Sequence, residues 1–459
     1  MAGIGYALEK LILRDDLLGS FQSYTIGAIV SAGPWLFTII SLVGINLIVT
    51  DLLSVDQLST FRIILIYNYS FSLVLSGPII VITTRYFADQ IYKNNVDQTP
   101  AIMLLALGLS YSVGIVVAVP FYIFFAELPV SIVMLAITNY LLITSVWVVT
   151  IFVTAIKEYR NYILSYAAGM LIAFFGGIYF FKLFNLSGLL FGYNLGLTVI
   201  IFSIIAKVLF TYPYEIQWPQ KLIAYFKQYW ELSLFGLFIS AGIWIDKWIM
   251  WFSPEQQVVA DVMVYNPDYD TAMFLAYLSI LPSLAYFLVS SETGFNRRYQ
   301  EYYQSIKCHA TFSLIQVKHR CIIDYLIVNF RNIFLLQAAI SLVAIIIAPH
   351  IILFFEGHYL QLGMLRFGIL GAFFYVFLLF ISTLLLYFDL RRLNLLLALT
   401  FLILNGSCTY WFMQSGYAYY GYGFFLASLV SFIVGLIILS NVLLKLPYYT
   451  FIKNNPSAI

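Results

Sequence analysis

Long apolar runs, each able to cross a lipid bilayer, recur from one end of this 459-residue chain to the other. A helix rises about 1.5 Å per residue, so about 20 apolar residues cross a hydrocarbon core of about 30 Å. Candidate runs occupy residues 21–50, 61–84, 101–125, 128–156, 162–181, 187–209, 232–252, 272–291, 332–355, 363–388, 393–412 and 418–444. In hydrocarbon every backbone polar group needs an internal partner, and for single runs of this length the helix supplies it. Composition agrees: 62% of residues are apolar and 10% charged, against about 45–50% and about 25% in soluble domains. The expected fold class is an all-α polytopic membrane protein with twelve transmembrane helices. The first run is too long for a signal-peptide core and should stay as a membrane helix.

Charge placement sets the expected orientation. With a cytoplasmic N-terminus, 19 of the 23 Lys and Arg residues fall on inner segments, Arg62, Lys182 and Arg366 fall on outer loops, and Lys247 lies inside a span. This positive-inside bias alternates through every loop and places both termini in the cytoplasm. A net charge of +2 gives none of the basic excess that marks nucleic-acid binding. Three cysteines, Cys308, Cys321 and Cys408, are too few for a disulfide framework.

The runs divide into two halves. Ser31-Ala32-Gly33-Pro34-Trp35-Leu36 in the first span and Ser240-Ala241-Gly242-Ile243-Trp244-Ile245 in the seventh match at four of six positions with an offset of 209. Six helices separate the copies, so the repeat is parallel. It predicts two pseudo-symmetric six-helix lobes around a central cleft. The expected organisation is a cytoplasmic interfacial helix over 1–20, a six-helix lobe over 21–209, a linker over 210–231 carrying Pro213 and Pro219, and a six-helix lobe over 232–459. The second lobe carries a long cytoplasmic segment, 292–331, whose basic residues interleave with tyrosines, a pattern suited to an interfacial helix or a docking surface. Glu127 to Pro129 should join the third and fourth spans in a tight hairpin. Gly33-Pro34, Ser76-Gly77-Pro78 and Pro282 interrupt three spans, and such breaks are tolerated where freed carbonyls face a cavity or protein.

Asp246-Lys247 is the charged pair placed well inside a span, and an intramembrane charge is a functional candidate by default. On a helical wheel Trp244, Trp248 and Trp251 share a face with Lys247 beside them, while Asp246 points the other way with Gly242. Adjacent residues do not face each other, so no direct pairing is expected. Lys247 reads as a snorkelling anchor in an outer Trp belt, and Asp246 as a cleft-facing group or an interhelical hydrogen-bonding one. The transport candidates are Asp246, Trp35, Pro34, Gly33, Pro78 and Gly242. Tyr417, Tyr419, Tyr420 and Tyr422 read as belt residues. Enzyme signals fail. The chain has no Gly-Lys-Ser/Thr phosphate loop, and Asp268-Tyr269-Asp270 lies in an expected outer loop, away from nucleotide sugars. Cys308-His309 and His319-Cys321 diverge around a helix too far to chelate one ion.

The opening Met1-Ala2-Gly3-Ile4-Gly5 with Leu8-Glu9-Lys10-Leu11, the Ser31 to Trp35 element, Gly242 to Trp248, and Glu292-Thr293-Gly294-Phe295 with Tyr299, Tyr302 and Tyr303 resemble the PelG family, the membrane transporters of the Pel exopolysaccharide system. The similarity runs from residue 1 through the final span. The resemblance implies a member of the multidrug, oligosaccharidyl-lipid and polysaccharide flippase superfamily in a bacterial inner membrane, not an enzyme, with no cofactor or metal. It implies a cargo rich in N-acetylgalactosamine and galactosamine, made by a cytosolic glycosyltransferase and exported with accessory Pel membrane subunits. Arg297, Arg298, Tyr302 and Tyr303 are then the candidates for docking such partners. The rival readings are a flippase for lipid-linked oligosaccharides, which needs cleft-facing Arg or Lys for a pyrophosphate, and a non-transporting scaffold of a synthase.

Overall fold

The computed structural model describes residues 37–45, 48, 55–93, 95–156, 159–212, 218–219, 221–354 and 358–453. Ten helical tracts among these residues are long and apolar enough to cross a membrane. One of them, Asn161–Thr211, holds two expected spans, because Phe184 (φ −132°, ψ 16°) and Asn185 (φ 50°, ψ −132°) break the helix and reverse it. Asn accepts positive φ more readily than most residues, which suits it to this tight turn. Eleven of the twelve expected spans therefore coincide with described helices. Of the first expected span, residues 37–45 are helical. The expected interfacial helix over 1–20 lies outside the described residues.

The chain forms two compact units that divide between Pro267 and Asp268. In the N-terminal unit α1 (Val55–Tyr92) is central, packed by α2 (Thr99–Pro120), α3 (Val130–Ile156) and α6 (Trp230–Met250). The Thr99 hydroxyl donates to the Val96 carbonyl at 2.6 Å, and Pro100 follows in the first turn, where its missing N–H is harmless. A π turn, Phe121–Phe125, ends this span, and Ala126 to Pro129 connect it to α3, the tight link expected from the run lengths.

The reversed helix α4 (Tyr159–Thr211) is a hairpin whose arms meet through glycines. A Cβ on Gly188 would lie 2.0 Å from the Phe180 carbonyl oxygen, one on Gly192 2.3 Å from the Gly177 nitrogen, and one on Gly196 2.4 Å from the Gly169 oxygen. Gly188, Gly192 and Gly196 recur every fourth residue, so one bare face lets the two backbones touch. Ser41 in segment 37–45 donates to the Met170 carbonyl at 3.2 Å, which holds that segment on the first arm. Between α4 and α6, α5 (Lys221–Gln228) packs on the end of α1: the Tyr225 hydroxyl donates to Asp89 at 3.3 Å, and Arg85 lies 5.5 Å over the Tyr229 ring. After α6 comes a small antiparallel hairpin, β1 (Gln257–Val259) paired with β2 (Met263–Tyr265). The Tyr67 hydroxyl pins it to α1, donating to the Val264 carbonyl at 2.9 Å and accepting from the Val264 N–H at 3.0 Å.

In the C-terminal unit α7 (Pro267–Leu278) stops at Ser279-Ile280, and Pro282 opens α8 (Leu281–Ser290), so the expected break at Pro282 is present. A π turn, Ser291–Phe295, leads into α9 (Asn296–Lys307); His309, at φ 52°, then reverses the chain into the 43-residue α10 (Phe312–Phe354). Segment 292–331 is thus a helical hairpin continuous with the spans on either side. Apolar counting ended the spans early because a helix persists in polar sequence wherever its backbone bonds continue. The unit closes with α11 (Gln361–Tyr387), α12 (Arg391–Gln414) and α13 (Tyr422–Leu444), α13 packing on both others. Asp268 ties elements of the unit together: Gln361 Nε2 donates to its Oδ1 at 2.5 Å and the Tyr417 hydroxyl to its Oδ2 at 2.9 Å, linking α7 to the start of α11 and to the turn between α12 and α13. Tyr420 is 1% exposed, so it belongs to the core rather than to an interfacial belt.

Candidate transport site

Helix α6 positions Asp246 and Lys247 one turn after the buried Gly242. Asp246 is 0% and Lys247 7% exposed. The lysine ammonium lies 3.2 Å from both carboxylate oxygens of Asp246 and donates to the Ile243 carbonyl at 2.9 Å. This corrects the expectation that the neighbours do not pair. The wheel argument treats side chains as fixed spokes, whereas a four-carbon stem curls back along the helix and brings Nζ to the preceding residue. Lys247 is therefore not a snorkelling anchor. Its Nζ lies 5.7 Å from the centre of the Trp244 ring, within cation–π range.

The tryptophans are not a lipid-facing belt either. Trp248 stacks on Phe71 with centroids 5.2 Å apart and donates its indole N–H to Ser70 at 2.8 Å; Trp251 stacks on Tyr67 at 4.6 Å. The stripe was right in register but faces α1. Deeper in that face a Cβ on Gly77 would lie 2.5 Å from the Gly236 carbonyl oxygen, so α1 and α6 cross with backbones in contact immediately before Pro78. Gly33, Pro34 and Trp35 lie outside the described residues.

Behind this crossing, α1 carries a buried polar network. Asn68 donates to Asn139 at 2.9 Å, Asn139 donates to Asn194 at 2.7 Å, and the Tyr122 hydroxyl donates to Asn68 at 2.8 Å. Tyr69 and Tyr193 share a hydrogen bond of 2.7 Å, and Trp147 donates to Ser72 at 3.1 Å. The asparagines are not among the sequence candidates. The available signal was an Asn in each of three otherwise apolar runs, since an uncompensated amide in hydrocarbon is costly.

In the C-terminal unit Glu292, the residue after its expected span, is 4% exposed, and its Oε2 has no hydrogen-bond partner among the described residues. It lies in the π turn, a local irregularity often found at functional positions. The docking candidates divide here. Arg297 is exposed and pairs with Glu301 at 3.2 Å, which also accepts from Lys318 at 2.8 Å. Arg298 is turned inward, donating to the Gly294 carbonyl at 2.9 Å and stacking 4.1 Å over Tyr325. A Cβ on Gly294 would lie 2.0 Å from the Tyr325 hydroxyl, which explains the glycine. Tyr302 is 0% exposed and presents no surface to a partner, while Tyr303 is half-buried against Tyr299, 4.6 Å between centroids.

The described helices have the arrangement of known transporters. The chain superposes on an outward-facing multidrug resistance MATE family transporter of the MOP superfamily with a TM-score of 0.64 at 13% identity, covering 92% of this chain and 96% of that one. It also superposes on a MOP superfamily transporter from Pyrococcus furiosus with a TM-score of 0.61 at 13% identity, covering 91% and 96%. At such identities the likeness establishes the fold, and the chain is a multi-pass membrane protein with a MATE-type transporter fold. No curated protein sequence matches it significantly. Residues 1–451 match the family described as "PelG: Putative exopolysaccharide Exporter (EPS-E)", and the chain belongs to that family.

Proposed function

We infer that this protein moves a Pel-type exopolysaccharide, rich in N-acetylgalactosamine and galactosamine, across the bacterial cytoplasmic membrane. The family match over residues 1–451 carries the reading, and the transporter fold supports it. Both termini are cytoplasmic in this reading, and a cytosolic glycosyltransferase and accessory Pel membrane subunits supply and receive the polymer. Hairpin 292–331 is their docking element, with Arg297 and Tyr303 the candidates whose side chains reach its surface. The protein itself performs no chemistry. Cells lacking the chain should retain lipid-free polymer inside and secrete none; accumulation of a lipid-linked oligosaccharide instead would favour the flippase reading, and undiminished secretion would overturn export.

Asp246 is the residue we assign to translocation. A carboxylate paired with an ammonium inside a span is a charge that a cationic sugar or a coupling cation can compete for. Because Lys247 is buried beside it, Asp246→Asn alone would strand the lysine. The informative variant is therefore Asp246→Asn with Lys247→Gln, which removes both charges and keeps both shapes. Normal abundance with export largely lost supports a role in transport. Normal export per unit of membrane protein would leave the pair a purely structural one.

A further inference from the structure

The arms of α4 are in close contact from their turn out to Gly169 and Gly196. Past the contact of Gly169 with Ile200, where a Cβ on the glycine would lie 2.3 Å from the isoleucine side chain, the glycines stop and the arms, together with Val153 of α3, line a cleft. Its enclosed part is water-sized, about 20 Å³, and is lined by Val153, Asn161, Tyr162, Ser165, Ser203, Ile204 and Lys207. It opens into a shallow surface depression of about 410 Å³ that adds Leu164 and Ala168. The polar lining therefore consists of one ammonium, two serine hydroxyls, a tyrosine and an amide. Around it the surface is apolar: Leu164 is 54%, Phe202 64% and Phe210 81% exposed, and Lys207 lies 5.7 Å over the Phe210 ring. The charge bias of the sequence puts this end of the hairpin on the cytoplasmic side.

The geometry points to a binding site for the headgroup of an anionic phospholipid of the inner leaflet, with phosphate at Lys207 and Ser203 and acyl chains along Leu164 and Phe202. Three observations converge. A cation and hydroxyl donors meet in a recess between two membrane helices, the setting in which basic pockets take lipid phosphates. The recess opens beside side chains that suit acyl chains and that a water-soluble anion would leave unused. Finally, the arms are locked by backbone contact on one side of the cleft, so its walls are preformed and need little ordering on binding. The site is independent of the transport reading, since it lies between the arms of α4 and α3, away from the Asp246–Lys247 pair.

The test is lipid retention on the full-length protein, purified from nanodiscs containing phosphatidylglycerol or, separately, phosphatidylcholine alone, and read by native mass spectrometry. Phosphatidylglycerol should stay bound and phosphatidylcholine should not. Lys207→Gln should lower retention about fivefold, the scale of one basic residue at an anionic lipid surface. Lys207→Arg should keep it, which controls for folding, and Ser203→Leu should block the cleft with the charge in place. Equal retention of phosphatidylglycerol by the parent and by Lys207→Gln would overturn the site. Retention abolished by inorganic phosphate, with no preference between the two lipids, would overturn the lipid assignment in favour of a free anion.

Discussion

Each unit buries a carboxylate near a helical irregularity or crossing, and the two are handled in opposite ways. Asp246 sits on a regular stretch of α6 with its counter-ion supplied by the next residue, 3.2 Å from both oxygens. Glu292 sits in a π turn with one oxygen lacking a hydrogen-bond partner among the described residues. A charge placed in a span with its own neutralising group is a closed unit that insertion can deliver whole. A carboxyl group without a donor on one oxygen depends instead on what surrounds it, and small changes at it should be felt less.

The sharpest way to break this contrast is Lys247→Gln, which leaves Asp246 buried beside a neutral amide. Removing one partner of a buried ion pair costs about 3–5 kcal/mol, so unfolding in mixed micelles should shift by that amount, and Asp246→Asn added to it should recover most of the loss. A variant as stable as the parent would mean that the pair is not a unit. Next in size is Asn139→Leu, which strands a donor on Asn68 and an acceptor on Asn194 and should cost about 1–2 kcal/mol in the same measurement. Glu292→Gln should cost less than about 1 kcal/mol, because one oxygen already lacks a partner; a larger loss would show that the carboxylate is engaged after all. Smallest is Arg297→Ala. It breaks an exposed i,i+4 pair with Glu301, worth at most about 0.5 kcal/mol, and the effect should vanish at high salt.

Apolar run length made the spans legible, because the hydrocarbon thickness fixes how long a run must be, and even the bare link between the second and third described spans followed from it. The break at Pro282 was equally legible, but the expected interruption at Pro78 is absent: Pro78 lies inside the continuous α1, as Pro349 lies inside α10, so a missing backbone donor alone does not end a helix. What escaped was everything decided by contact between runs. Spacing placed Trp244, Trp248 and Trp251 on one face, but nothing in one helix says whether that face meets lipid or α1. The Asp246–Lys247 pair was missed because rotamer freedom, not wheel angle, decides whether neighbours meet. Arg298 and Tyr302 read as surface groups for the same reason: a basic and aromatic pattern looks alike whether it faces a partner protein or packs on Tyr325 within the same hairpin. The asparagine network required knowing that three separate helices present their amides to one another.

The glycine-faced hairpin of α4 bears on the order of assembly. Its contacts pair residue 180 with 188, 177 with 192 and 169 with 196, so each lies a short stretch of chain from its partner and they close in sequence outward from Asn185. Contacts that local demand little loop entropy and form quickly. The α1–α6 crossing instead joins residues 77 and 236, which must wait for most of the intervening chain to be made. The hairpin is thus built to enter the membrane as a ready-made pair, a fixed wall already standing when α6 arrives with its charged residues.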